Sequence, residues 1–459
     1  MTRSLVLGSL FALGCAAHAR PAVALYESGD YAGAARAADH ALAAHPGDEA
    51  LWQMRIRAAL ALGDGDGVAR TYAAYRAQIG QDDRELLRDL AIATLGQALA
   101  APSVKLKITA IEAVEEAELQ PLAEQVAQRM ADDDDRVIAA AAVAVLNGYP
   151  RAPQAAGDML HSEDAEARRI AVEGIARKVG KLAASDLEAA ANDPDPRVRR
   201  AALRWLGQLK DPGAVALARE RLADPDDAVR AAAGSALARI GQGDLAALGR
   251  RALGDRALAV RLAGVELLAA ARDRAALAQL ADDPDPVVAS EAAIAAGGGA
   301  PAARAIERAA HAASWEVRAG AANLAVRALG KDAARAVARP LGADPEPAVR
   351  LAAARVLGHS GDRPAAIAIA AAVLASPHAS RALQLEAAVD LATQGDPRGA
   401  RALDALVRDP DHGAPVRSAA AAAHRAARCI TPGLVAALAD GNGPVRVAAA
   451  AALAVLTRH

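Results

Sequence analysis

The sequence predicts an all-α fold, an α-solenoid or superhelix of stacked antiparallel helix pairs, on three observations. The stretch from Asp193 to Gly241 states one unit almost twice, with Val198-Arg199 and Val229-Arg230 as matching points 31 residues apart. A period of this size belongs to helix pairs that cannot bury their apolar faces alone. Apolar residues make up 53% of the chain but aromatics only 2%, so the core is built from alanine, leucine and valine, whose small side chains let helices approach closely. Finally, 459 residues exceed what one compact core can organise, whereas a stack has no such limit because each repeat buries itself on its neighbours.

Each unit carries its own instructions. A residue before proline is pushed out of the helical region, so Asp193-Pro194 and Asp195-Pro196 hold an extended turn. Asp195 is expected to cap the helix, with Pro196 in the first helical position where its missing N–H costs nothing. From Val198, apolar residues at Ala201, Ala202, Trp205, Leu206 and Leu209 mark one helical face. Gly207 and Gly241 are read as the points where the chain leaves each helix. Leu206 and Leu237 occupy equivalent core positions.

Arg199 and Arg230 sit in the first turn of their helices, where the macrodipole disfavours a cation by up to about 1 kcal/mol. A ladder between repeats, such as Asp193 or Asp195 with Arg230, is the expected compensation. Taken as mostly exposed, each rung would contribute about 0.2–1 kcal/mol and act chiefly as a register device.

Residues 1–19 follow a different logic. Arg3 is the sole early charge, Ser4 to Gly14 is an apolar run too short to span a bilayer, and small residues follow, as in a bacterial export signal. Two maturation routes are open. Ala17-His18-Ala19 is an A-x-A site that would release the chain before Arg20. Ala12-Leu13-Gly14-Cys15 instead resembles a lipobox, in which Cys15 would be lipidated, although Ala12 stands where Leu is preferred. Either route implies export, to the periplasm or to a lipid anchor at the outer membrane. Only Cys15 and Cys429 are present, so disulfides do not hold the fold, and Cys429 is expected to serve as a small core hydrophobe.

Residues 20–80 resemble two tetratricopeptide repeats. Gly29-Asp30-Tyr31 matches the turn between the repeat's helices, Ala34, Ala38 and Ala41 its small packing positions, and Pro46 its closing proline. Gly63-Asp64 restates the turn 34 residues later, and Trp52 falls where the family's first helix carries an aromatic. The second copy departs from the pattern at Gly65 and Gly80.

Residues 82–459 resemble short HEAT-like repeats of the kind found in bilin lyases. About 12 copies are anchored at Val104, Val137, Ala167, Val198, Val229, Val260, Val288, Val317, Val349, Leu383, Val416 and Val445. The resemblance implies a right-handed superhelix whose Val-Arg helices line the concave face. Gly297-Gly298-Gly299 interrupts the stack and is a candidate for a change of curvature. The final helix, Val445 onward, lacks an obvious polar cap, leaving its outer face either solvated or covered by a partner.

The sequence contains no H-E-x-x-H, G-x-S-x-G, P-loop or C-x-x-C motif. None of the ten histidines is followed by Glu, as the iron site of deoxyhypusine hydroxylases of this architecture would require. The acidic run Asp132 to Asp135 lies in a turn before Val137 and reads as helix capping, and His40 and His45 do not share a helical face. No catalytic residue, metal ligand or cofactor is therefore expected. A bilin-lyase-type enzyme or an unrecognised site is the alternative.

With 53 Lys and Arg against 55 Asp and Glu, the sequence shows no concentration of positive charge of the sort that tracks phosphates, so protein partners are expected rather than nucleic acid. A membrane would be met only through the lipid anchor. Positions two and six residues after each anchor should form stripes on the concave face: Arg169 and Glu173, Arg200 and Arg204, Leu262 and Glu266, Leu351 and Arg355. Mixed charge beside apolar side chains suits a protein-binding surface.

Overall fold

The structure, a computed structural model, describes residues 17–458, so Cys15 and the lipobox at 12–15 lie outside the described residues. Its helices are α1 (Arg20–Glu27), α2 (Tyr31–Ala44), α3 (Glu49–Leu62), α4 (Gly65–Ile79), α5 (Arg84–Leu99), α6 (Val104–Glu116) and α7 (Ala123–Gln128). These are followed by α8 (Asp135–Ala144), α9 (Ala152–Met159), α10 (Ala165–Val179), α11 (Ala184–Ala190), α12 (Pro196–Leu209), α13 (Val215–Arg221), α14 (Asp227–Ile240), α15 (Leu245–Leu253) and α16 (Leu258–Ala270). Then come α17 (Arg274–Leu280), α18 (Pro286–Ala295), α19 (Gly299–Ala310), α20 (Trp315–Ala328), α21 (Lys331–Leu341), α22 (Pro347–His359) and α23 (Arg363–Leu374). The last helices are α24 (Arg381–Thr393), α25 (Pro397–Arg408), α26 (Ala414–Ala427), α27 (Pro432–Ala436) and α28 (Gly443–Leu456). Among the described residues there is no strand, and no helix is long and apolar enough to cross a membrane.

The repeat register read from the sequence is the register of the helices. Each anchor from Val137 to Val445 is the third residue of its helix, while Val104 is the first of its own. The reason is local: the helix start is set by the turn. Asp195 accepts a hydrogen bond from the Arg197 N–H (2.8 Å) with Pro196 at the first helical position, and Asp164, Asp226 and Asp285 cap α10, α14 and α18 in the same way. Asp134, from the acidic run, caps α8. In the tetratricopeptide-like stretch, Asp30 and Asp64 cap α2 and α4 after Gly29 and Gly63, whose positive φ ends the preceding turn or helix.

The chain divides into two compact units. One unit runs from residue 130 to 379; the other joins residues up to 129 with residues 380–459. Within the latter, the two ends of the chain pack together: α28 lies against α5 and α6, and α27 against α4. Arg76 donates to the Ile430 carbonyl (3.0 Å), Arg458 to that of Glu116 (3.1 Å), and Arg425 pairs with the Glu116 carboxylate. Ala449 to Ala454 are all buried. The face of the last helix that lacked a polar cap is thus covered by the chain's own N-terminal helices.

Within residues 130–379, the Val-Arg helices form one layer, α12 packing on α14 and α14 on α16, with the shorter helices α13 and α15 laid against that layer. Close approach there depends on missing side chains. Gly207 lies inside α12 rather than at its end, and a Cβ at that position would come within 2.6 Å of the Ala236 Cα in α14. The true end of α12 is Lys210 in the left-handed region, whereas Gly241 does close α14 as expected. Gly297, Gly298 and Gly299 all take positive φ and make the tight turn that lets α19 fold back on α18.

The ladder exists, but it runs forward along the chain, not back to Asp193 or Asp195 from Arg230. Arg168 pairs with Asp193, Arg199 with Asp224, Arg230 with Asp255 and Arg261 with Asp285, each carboxylate lying in the turn of the next repeat. The run stops at Val288, which is followed by Ala289 instead of Arg, and resumes with Arg318–Asp344. Helical side chains lean toward the N-terminus, so the same guanidinium also reaches its own turn: Arg199 donates to the carbonyls of Asp193 (2.9 Å) and Pro194 (3.0 Å). Each carboxylate in turn holds its own bend, Asp224 accepting from the Asp226 N–H at 3.0 Å.

These rungs are not exposed. The Arg199 and Asp224 side chains are 10% and 1% accessible and joined by two bonds of 2.8 and 2.9 Å. Burial is the largest influence on the Asp224 carboxyl and works to raise it, but the bonds from Arg199 and the Asp226 N–H, together with the charges of Arg199 and Arg221, hold the group below the usual range. Hydrogen bonds from Arg230 and Arg318 lower Asp255 and Asp344, and that from Arg197 takes Asp195 to about 2. Such carboxylates bind fewer protons folded than unfolded, so their stabilisation is complete above the unfolded value of about 3.9 and is lost as pH falls toward the folded values. Asp224→Asn should cost about 3–5 kcal/mol near neutral pH, because it strands a buried guanidinium. Urea denaturation is then expected to show wild type weakening as pH falls from about 4 to about 2 and the variant weakening less. Equal acid sensitivity of the two would remove the ladder from the account.

Candidate partner-binding face

The structure sorts the eight members of the expected stripes on the Val-Arg helices. Arg169, Glu173, Arg200 and Arg204 come together. They line one open cleft of about 350 Å³ across α10, α12 and α14, joined there by Arg197, Ala201, Ala232, Ser235, Ala236 and Arg239. Glu266 and Arg355 are exposed on α16 and α22 but are not part of it. The apolar members do not form a surface. Leu351 is 1% exposed and belongs to the core, and Leu262 packs partly buried against the cluster of Val265, Leu268 and Leu277. At the same position two residues after the anchor, Arg200 is exposed, while Arg169 is half-buried between Glu166 and Glu173.

The cleft is organised around Glu173. Its carboxylate accepts from Arg169 (2.7 Å) on its own helix and from Arg204 (2.9 Å) on the next, 31 residues on. Arg169 is held from the other side by Glu166 (2.6 Å), and that bond keeps the Glu166 carboxyl below its ordinary value despite partial burial. Arg197 folds onto Asp195 at 2.9 Å. Arg200 and Arg239 are exposed and make no ion pair among the described residues.

Two participants escaped the sequence reading. Arg239 stands ten residues after its anchor, one helical turn beyond the stripe, so extending the pattern to a third turn would have found it. Arg197 stands one residue before its anchor, in the first turn of α12. Five arginines thus gather locally in a chain whose overall balance is −2, a concentration that whole-chain counting averages away.

Several titratable groups outside the cleft make structural contacts. His424 is fully buried, its Nδ1 bonded to the Ala420 carbonyl (2.8 Å) and its Nε2 to the Thr431 hydroxyl (3.0 Å); burial depresses its pKa and keeps it neutral. Cys429 is half-buried, and burial pushes its thiol upward, away from the reactive thiolate. His45 stacks on His18 with ring centroids 3.8 Å apart. Among the described residues, no group of three or more His, Cys, Asp or Glu is placed to hold a metal ion.

Residues 153–238, which contain most of the cleft, match the HEAT repeats. The repeats of this stretch are HEAT-like. No curated protein matches it in sequence. Among solved structures, human deoxyhypusine hydroxylase in complex with glycerol is 24% identical, covering 52% of this chain and 94% of its own at a TM-score of 0.28. A Kap121p mutant is 14% identical over 82% of this chain and 48% of its own, TM-score 0.37. The CpcE–CpcF complex of phycocyanin lyase from Nostoc is 20% identical over 66% and 94%, TM-score 0.26. Partial superpositions of this kind carry nothing about activity.

Proposed function

We propose that this HEAT-like repeat protein is a non-catalytic scaffold that binds a protein partner in the bacterial cell envelope, using the Val-Arg layer of residues 130–379. The observation that carries the reading is the cleft over α10, α12 and α14. Its charged rim and small-residue floor extend across three successive repeats, which is how a repeat stack gathers many weak contacts into one interface.

Lipid anchoring at Cys15 is preferred over release before Arg20, on the behaviour of residues 17–19. Ala19 is fully buried against Leu42 and Leu51, and its carbonyl accepts from the Val23 N–H (2.9 Å). His18 bonds Asp48, the cap of α3, at 3.1 Å. A cut after Ala19 would remove these contacts, whereas a cut before Cys15 keeps them. Intact mass of the mature protein checks this: a lipidated N-terminal Cys15 is expected, and an unmodified start at Arg20 would contradict it.

Charge reversal at Arg200, Arg204 and Arg355 together tests the binding face. All three are exposed, so thermal unfolding should stay nearly constant, exposed pairs being worth about 0–1 kcal/mol. Recovery of the partner from an envelope fraction by the wild-type protein, followed by mass spectrometry, should drop sharply with the triple variant. Undiminished recovery would move the interface off this layer.

A further inference from the structure

We infer that the cleft between α10, α12 and α14 is a receptor for an extended, carboxylate-rich peptide segment, with Arg200 and Arg239 as its two anchoring cations. This rests on the scaffold reading and adds to it the chemistry of the segment bound.

The charges in the cleft have a division of labour. Arg169, Arg204 and Arg197 are already satisfied by Glu166, Glu173 and Asp195, and those bonds fix the walls. Arg200 and Arg239, on neighbouring helices, face the same opening with no acidic partner. Within the cleft Glu173 is the sole carboxylate among the lining residues, and it is spent twice over. An incoming carboxylate therefore meets unneutralised guanidinium groups whose surroundings need no rearrangement, the condition in which binding costs least in ordering.

The floor selects the shape of the ligand. Ala201, Ala232, Ser235 and Ala236 leave a shallow trough in which a peptide backbone can lie close to the helices, and the Ser235 hydroxyl offers it a hydrogen bond. A nucleic acid is the competing polyanion, but phosphate tracking draws on about 6–10 cationic contacts, and two free arginines do not provide them.

The test uses the purified full chain and a fluorescein-labelled peptide of alternating glutamate and glycine, read by fluorescence anisotropy. The wild-type protein should bind it, with affinity falling as salt is raised from about 50 mM to about 500 mM. Arg200→Glu with Arg239→Glu should weaken binding by at least about tenfold, the double lysine variant should retain most of it, and Arg251→Glu, an exposed cation outside the cleft, should leave it unchanged. Circular dichroism melting of each variant guards against loss of fold. Equal weakening by Arg251→Glu, or tighter binding of a single-stranded oligonucleotide of equal charge, would overturn the inference. Should the peptide fail to bind while the envelope partner is still captured through the same layer, the inference falls and the scaffold reading stands.

Discussion

One side chain in each well-formed repeat ties together the three things the stack must specify. The arginine after the anchor valine reaches back to the carbonyls of its own turn and forward to the carboxylate of the next. It thereby fixes how the helix is entered, how the turn is bent and where the following repeat sits. Its cation lies near the positive end of its own helix, an arrangement that would be unfavourable alone and becomes favourable only when the neighbouring repeat is in place. Cooperation between repeats is thus written into a two-residue motif. Because the rung is buried, it tolerates loss of neither partner.

Around this device the core is made of small residues. Close helix approach replaces bulk, as at Gly207 over Ala236 and Gly234 over the Ala263 Cβ, where an added methyl would have to displace the neighbour. Such seams bury little area apiece, so stability is spread over many of them. The unit formed by the two chain ends follows the same economy, the alanine-rich α28 being closed by α5 and α6.

Much of this was legible in the sequence, since turn chemistry and helix period are local properties. Asp195, Pro196 and Val198 announce a helix start whatever surrounds them, and the anchors fell into register with the helices accordingly. What resisted reading was whatever depended on distance in space. The rung partner of Arg199 is 25 residues ahead, and only the packing of the next repeat against its own decides that direction. Gly207 reads as a stop signal until another helix is seen to press on it. Leu351 and Arg355 share one stripe on paper, yet one is core and the other surface. The covered face of the last helix could not be foreseen, because its cover lies more than 300 residues away. The cleft itself was half legible: four of its residues follow from the stripe, while Arg197 and Arg239 enter through the geometry of adjacent helices.

Residues 130–379 form a quasi-one-dimensional stack in which each repeat is stabilised by its immediate neighbours. Hydrogen exchange followed along the whole chain in Leu206→Asp tests it most directly. Leu206 is fully buried in α12, so the variant places an unpaired charge in the seam with the adjoining repeats, at a cost of several kcal/mol on the order of other buried-charge substitutions. The account predicts that protection collapses in α12 and in the neighbouring α10 and α14, while α20 to α22 exchange as in wild type. A uniform loss of protection over all the described helices would contradict it.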